Sequence, residues 1–534
     1  MTLETVISYV REQSSDLSKG TIAATVFGVW LLNRIILVLY RLYLDPLSKF
    51  PGPKLAAATS MYEMYYDIVE DGTFVWKMDE LHRKYGPIVR VSPHSLRLRK
   101  SSAYHEVSCS SRDRRLSVLR AKILKVHRMG SPFAKDNRFY HFSGVPRSTF
   151  ATIDIDLHRQ RRAPLNPMFS RRGILDTEFF VKEKIELLCR RMKEHEVQGK
   201  LFNCYNGFAA MAADIITEYA YGKSYDVLKS PDLTCPAFTS LHAQHELFLI
   251  LRHFPLFRMA MQSLPLSVLR LVPAGAGLAE LEEEAKANLK AVYARMGTTM
   301  EKNSAHRTVF EELLARLPDP KNADPTDLTN EAMAVVTAGF HTVRWTICTG
   351  ILEVAGNPLI QTKLFEELKT ASPDVNAEFS YLQCEKLPYL RGVILESLRL
   401  SYGIIGPLPR RVPKEGAVVG GYHLPGDSTI EMDNYSLHHD EEIFPDSHRF
   451  WPERWLTPES KQKEKFVNSF GAGPRQCLGI NLALCELHLT FATVFRRFEV
   501  DISARGNKRM KIKDHWLSIL RDEPLKCKLI SRKE

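Results

Sequence analysis

The chain has 534 residues, 44% hydrophobic and 25% charged, with a formal net charge of +11; this ordinary globular balance excludes fibrous and intrinsically disordered classes. Nine dispersed cysteines with no Cys-x-x-Cys spacing argue against a zinc ribbon, a dithiol redox site and a disulfide framework. The charge is local: seven basic residues and one acid, Asp113, lie between Arg112 and Arg128, giving +6 without interleaved aromatics, which argues against a nucleic-acid partner.

Residues 21–40 are mostly apolar and about long enough to cross a bilayer; Asn33 and Arg34 interrupt them, and Arg34 can snorkel to one interface. Residues 1–20 carry a net charge of −1, whereas Arg41, Asp45, Lys49 and Lys54 sum to +2. The positive-inside bias then predicts a single-pass anchor with a lumenal N-terminus and a cytosolic main domain. A helix lying on the membrane surface is the alternative. No small-residue cleavage site follows, so the segment reads as a retained anchor rather than a secretory signal. Asp45-Pro46 and Pro51-Gly52-Pro53 predict a stiff, extended hinge over 41–55. From 56 to 534 no repeat or low-complexity linker occurs, which predicts one domain, large enough to imply that it wraps an internal object.

Periodicity predicts a helix over 73–85 and a strand over 88–91, then long helical patterns over 177–221, 279–317, 328–357 and 359–369. A helix over 387–400, short strands near 417–419 and 429–432, a final helix from about 478 to 495 and a β-rich tail complete the chain. The fold class is mainly α with minor β, the small sheets lying towards both ends of the domain.

The densest motif is Phe470-Gly471-Ala472-Gly473-Pro474-Arg475-Gln476-Cys477-Leu478-Gly479. Its glycines let the backbone turn tightly and approach a flat ligand without Cβ clashes, and Arg475 offers a planar fork of donors to a carboxylate. Cys477 directly precedes an apolar helical pattern, and a helix N-terminus lowers a thiol's pKa. The string resembles the haem-binding signature of the cytochrome P-450 family, Phe-x-x-Gly-x-Arg-x-Cys-x-Gly, at every fixed position: Phe470, Gly473, Arg475, Cys477 and Gly479. The resemblance implies a cytochrome P-450 fold holding haem b, with Cys477 as the axial iron ligand, a thiolate that favours O–O cleavage. The structural alternative is a cysteine in a glycine turn.

Three further elements fit that resemblance. Glu396 and Arg399 stand three apart on an apolar helix, close enough to pair; in the family such a pair is locked by a downstream arginine, here Arg454 of Pro452-Glu453-Arg454-Trp455. This trio is read as structural support. His158 and Arg162 share one helix face and are implied to bind a haem propionate, the alternative being a solvated basic face. Arg410 resembles another propionate ligand, with its neighbour Arg411 an open alternative.

The segment Ala338-Gly339-Phe340-His341-Thr342-Val343 aligns with the family's oxygen-activation helix, whose pattern is Ala/Gly-Gly-x-Asp/Glu-Thr-Thr/Ser. Ala338 and Thr342 match; His341 replaces the acid and Val343 the second hydroxyl. A mid-helix threonine can bond back to the i−4 carbonyl and open a groove for water, and the resemblance gives it a proton-relay role. His341 admits three readings: a substitute proton shuttle, with an unperturbed pKa of ~6.5; a side chain turned away; or proton delivery weakened for redox-neutral chemistry.

In fungal-type relatives Tyr104-His105-Glu106 should run almost directly into Gly130-Ser131-Pro132, so residues 107–129 read as an unspliced intron, with Val-Ser encoding a donor site and His-Arg an acceptor; otherwise they enlarge a loop. Transcript sequencing tests this. Residues 247–271 are apolar with interspersed Arg252, His253, Arg258 and Arg270, similar to the family's membrane-dipping lid; ordinary core helix is the alternative. No Gly-x-Gly-x-x-Gly fingerprint occurs, so electrons are implied to come from a separate NADPH–cytochrome P-450 reductase. Lys461, Lys463, Lys465, Arg159 and Arg161 could steer its docking, or form a plain solvated charge run. The implied protein is a monomeric monooxygenase of the endoplasmic reticulum membrane, acting on a lipophilic, terpenoid or polyketide-like metabolite. A redox-neutral isomerase, dehydratase or cyclase and a non-catalytic haem-binding protein are the rival classes.

Overall fold

A computed structural model describes residues 19–99, 132–140, 144–235, 247–271, 273–296, 307–317, 323–506 and 509–533. The basic block at 107–129 and nearly all of the segment expected to be lumenal fall outside these residues. Helices of eight residues or more are α1 (Lys19–Tyr43), α2 (Phe74–Tyr85), α3 (Ile155–Arg162), α4 (Arg171–Val197), α5 (Cys204–Tyr221), α6 (Pro255–Gln262) and α7 (Pro273–Met296). They continue with α8 (Val309–Arg316), α9 (Pro325–Ala355), α10 (Pro358–Ala371), α11 (Pro388–Ser401) and α12 (Ile480–Arg497).

The expected mainly helical architecture is present, built on α9. Asp324 caps its N-terminus by accepting from Thr326 N, and Pro325 supplies a first-turn residue that needs no donor. Most of its 31 residues are buried, because α4, α5, α11 and α12 share one hydrophobic core with it. Close approach depends on missing side chains: a Cβ at Gly339 would strike Ile216 of α5, and one at Gly350 would strike Phe491 of α12 and Ser397 of α11.

The sheets are small. Strands β1 (Ile88–Arg90), β2 (Ser95–Leu98), β3 (Ala134–Lys135), β5 (Arg410–Arg411) and β8 (Thr429–Glu431) form one sheet in the order β1-β2-β8-β5-β3. Only β2 and β8 run parallel within it. Strands β4 (Phe202–Asn203), β12 (Lys526–Ser531) and β9 (Phe498–Asp501) form a second, and β6–β7 (Ala417–Val419, Tyr422–Leu424) and β10–β11 (Ile512–His515, Leu517–Leu520) are hairpins.

Three expectations need correction. The pattern over 177–221 is two helices, because Gly199 takes a left-handed φ of 64° and β4 pairs with β12 before α5 begins. The pattern over 279–317 likewise divides into α7 and α8, with a Thr308–Glu311 capping box starting the second. The hinge is not extended: it forms turns over 44–50 and a short helix, Lys54–Ala58. Arg90 binds that segment through Arg41 O at 2.7 Å and Asp45 at 3.5 Å, and its amide donates to Pro51 O.

Helix α1 buries none of its residues; its 25 residues give about 37 Å of length, more than the ~30 Å of a bilayer core. The 247–271 region divides: Phe248 and Leu249 are buried, whereas its later part turns large apolar residues outward. Leu256 and Leu271 are each 82% exposed, and Met259 59%, whereas the charged residues of its first helix point inward. Arg252 bridges Glu63 at 2.5 Å and Asp67 at 3.1 Å, and His253 meets Asp67 at 2.7 Å, all four side chains being largely buried. Asp67 lies in a π-helical turn, Tyr65–Val69. Two arginine ion pairs and one histidine–carboxylate contact thus latch this segment to the N-terminal part of the domain.

Candidate active site

The glycine-rich loop is shaped by its own backbone. Cys477 N donates to Phe470 O at 2.8 Å and Gln476 N to Gly473 O at 3.1 Å, closing a 3-10 turn at Gly473–Arg475. Gly471 and Gly473 adopt φ of 68° and 74°, left-handed values that a Cβ disfavours. A Cβ at Gly479 would meet nothing within 4 Å, so the loop fronts open space. Cys477 is the exposed cysteine among the described ones.

Its thiol departs from the expected direction. Crowding by protein raises it, outweighing the Gly479 amide and Arg162, which both pull it down. Helix α12 begins three residues after the sulfur, so its N-terminal amides do not dominate. Coordination to a metal would displace that proton outright.

A second opening lies on α9. Ala338 is exposed and Thr342 half-exposed, whereas residues 343–352 of the same helix are all buried. Thr342 Oγ1 donates to Ala338 O at 2.9 Å, the back-bond expected of a mid-helix threonine. Ala334 and Val335, one turn earlier, and Phe470 and Leu478 of the loop border the same core. His341 is 5% exposed and lies about 100° round the helix from Thr342, off the open stripe.

Basic groups converge beside these surfaces. His158 of α3 is buried and pushed down to about 3, first by burial and then by Arg475, Arg162, Lys135 and Arg410. Burial followed by Arg410 holds Arg475 down at about 10. Burial and the same three arginines hold Lys135 well below the usual lysine range. Among the described residues no carboxylate forms a salt bridge with any of these five groups. Arg410 donates to Tyr140 Oη at 3.0 Å within the cluster, whereas Arg411 faces Asp427 at 2.9 Å on the surface. Arg410 thus lies inside the basic cluster and Arg411 outside it.

Arg475 is not a free fork. It donates to the carbonyls of Thr152 at 2.5 Å, Ile153 at 2.9 Å and Asp154 at 3.2 Å. In return Arg162 Nη1 donates to Gln476 O at 2.8 Å. Arg161 is committed to Asp327 at 2.6 Å and to Thr152 Oγ1, whereas Arg159 is exposed and, among the described residues, pairs with Asp156 at 2.7 Å. Lys461 and Lys465 are exposed.

Glu396, Arg399 and Arg454 meet in the interior, 0%, 0% and 3% exposed. Arg399 grips Glu396 bidentately at 2.8 and 2.7 Å, and Arg454 Nε lies 3.4 Å from the same carboxylate. Trp451 N and Trp455 Nε1 add donors to it at 2.9 and 3.0 Å. Sequence reasoning missed Lys135 and Tyr140. The available signal was a lysine closing a short strand after two apolar residues, Phe133-Ala134-Lys135.

These residues fit haem. A cationic cluster without a carboxylate suits the porphyrin's two propionates, since buried charge is costly until paired. The glycine loop and the Ala338–Thr342 stripe leave room for a flat ring, and Cys477 carries the accessible sulfur.

The cytochrome P450 family model matches residues 64–529 of the chain. Cytochrome P450 monooxygenase sdnE of Sordaria araneosa is 33% identical over 516 residues, covering 93% of this chain and 95% of the relative. Cytochrome P450 monooxygenase MO6277 of Ascocoryne sarcoides is 35% identical over 501 residues, covering 90% and 93%. Conidiogenone synthase PchP450 of Penicillium rubens is 33% identical over 469 residues, covering 87% and 90%.

Proposed function

The chain belongs to the cytochrome P450 family, and on that premise we propose that it oxygenates a lipophilic small molecule of a fungal secondary-metabolite pathway, terpenoid or polyketide-like. It would use haem b, dioxygen and electrons from a membrane-bound NADPH–cytochrome P-450 reductase. The observation that carries the reading is an accessible Cys477 beside a buried basic cluster with no carboxylate salt bridge among the described residues. Fungal relatives named as monooxygenases support the reaction class, and the printed name conidiogenone synthase supports a metabolite substrate.

When bound, the haem supplies one-electron and O–O bond chemistry, with the thiolate pushing electron density towards it. Cys477 would hold the iron, and His158, Arg162, Arg410 and Arg475 the propionates. Phe470, Gly473 and Gly479 shape the loop. The Thr342 hydroxyl, already tied to Ala338 O at 2.9 Å, can exchange that bond for one to water and pass a proton into the open stripe. Substitution of the family's acid by a buried His341 favours a second reading, redox-neutral rearrangement, because no carboxylate stands next to the threonine.

Helix α1 would anchor the protein in the endoplasmic reticulum membrane as a single span, with the haem domain cytosolic and monomeric. The exposed apolar residues of the 247–271 lid would lie in the same membrane and admit substrate. Lys461, Lys465 and Arg159 would steer the reductase.

The test is incubation of purified protein with reductase, NADPH and extracts from its own pathway, with and without NADPH. An NADPH-dependent product heavier by one oxygen atom is expected. Turnover without NADPH would establish the redox-neutral reading, and no turnover at all a carrier. Access is testable separately. Arg252→Ala removes the cation that bridges the buried Glu63 and Asp67 carboxylates, leaving His253 beside Asp67, which weakens the latched state. Stopped-flow binding of a bulky azole to the ferric protein is expected to quicken about ten-fold, a change of ~1.4 kcal/mol in opening; an unchanged on-rate contradicts the latch.

A further inference from the structure

One member of the basic cluster belongs to none of the motifs. Lys135 ends β3 opposite Arg410 in the β3–β5 register and is 6% exposed. Its ammonium lies 4.2 Å from the Tyr140 ring centroid and 4.0 Å from that of Phe150, and it donates to Phe150 O. Two ring faces and one carbonyl leave part of its three-donor capacity unused. Among the described residues no carboxylate pairs with it, although Arg410, Arg475 and Arg162 all lie close enough to repel it.

Such a setting has two physical resolutions. Either Lys135 is a packing element whose stem fills the aromatic cage, or the cage aims a cation at an anion that the protein itself lacks. The second accounts for more. An apolar side chain would satisfy the cage without the repulsion. Lys135 and Arg410 also leave neighbouring strands side by side, and Arg410 is itself held by Tyr140, a wall of the same cage. Resting on the haem reading above, we propose that Lys135 is a positioning residue for the cofactor, donating a charged hydrogen bond to a haem carboxylate beside Arg410.

The test uses the full-length holoprotein and follows haem transfer to excess apomyoglobin, a readout independent of turnover. Lys135→Met keeps a flexible stem suited to an aromatic cage and removes the charge. It is expected to release haem about ten-fold faster, the scale of one charge-assisted hydrogen bond. Lys135→Arg, which keeps the charge, should stay within about three-fold of the natural protein on the same reasoning. With haem dimethyl ester, whose carboxylates carry no charge, the natural and Met proteins should release at the same rate. An unchanged rate in Lys135→Met overturns the inference, and so does an acceleration that persists with the ester, which would mark a packing role.

Should the Met variant not accumulate, the resonance Raman propionate bending bands of the natural and Lys135→Arg proteins decide the matter. A shift between them is expected, and coincident bands overturn the proposal. Protein that takes up no haem, or holds it without sulfur ligation, defeats the functional reading instead. Thiolate-ligated protein indifferent to Lys135 defeats this inference alone.

Discussion

Cys477→Ala is expected to lose essentially all of the long-wavelength absorption of the reduced, carbon-monoxide-treated protein. No other described cysteine can replace it. Cys189, Cys204, Cys348, Cys384, Cys485 and Cys527 are buried, and Cys235 is half-buried outside the loop. Burial pushes the thiols of Cys189, Cys348 and Cys384 up to about 12, far from thiolate formation. Among the described cysteines a sulfur-ligated band therefore reports on one side chain. Haem itself should remain in part, since the propionate cluster is untouched, and a retained band in the variant would sink the assignment of Cys477.

Removing either partner of the Glu396–Arg399 pair is expected to prevent recovery of folded holoprotein. All five N–H donors of Arg399 are engaged: two meet Glu396 and three meet the carbonyls of His438, Ser447 and Arg449. Glu396 in turn accepts from Arg399, Trp451 and Trp455, with Arg454 alongside. Arg399→Ala leaves a fully buried carboxylate and three carbonyls short of donors. Breaking a pair of this kind costs about 3–5 kcal/mol, a large share of the 5–15 kcal/mol that typically holds a domain folded. Arg399→Lys should fare little better, because an ammonium cannot reproduce the planar fork. Urea midpoints and holoprotein yield check this; a variant as stable as the natural protein would show that the pair is dispensable.

The parts of the site legible in the sequence are those whose geometry is local. The 470–479 loop, the Glu396–Arg399 spacing and the His158–Arg162 spacing each fix a shape within a few residues, and short-range backbone rules suffice to read them. What was not legible depends on partners far along the chain. Arg252 and His253 looked like interruptions in an apolar lid, but their acids lie 185 to 189 residues away. The different placement of Arg410 and Arg411 follows from strand alternation, which sends one inward and the other to Asp427. Lys135 carries no motif because its surroundings come from three separate segments. The direction of the Cys477 thiol failed for another reason: proximity to a helix start is visible in sequence, whereas the surrounding protein that outweighs it is not.

The reciprocal bonds between α3 and the cysteine loop have a mechanical consequence. Arg475 reaches back to the carbonyls that precede α3, and Arg162 reaches forward from α3 to Gln476. Crossed ties of this kind resist sliding in either direction, so the two segments travel together. Pressure on the outward side of α3, where Arg159 stands, is delivered to the residue preceding the sulfur without traversing the core. Whatever settles on that surface acquires a short lever on position 477.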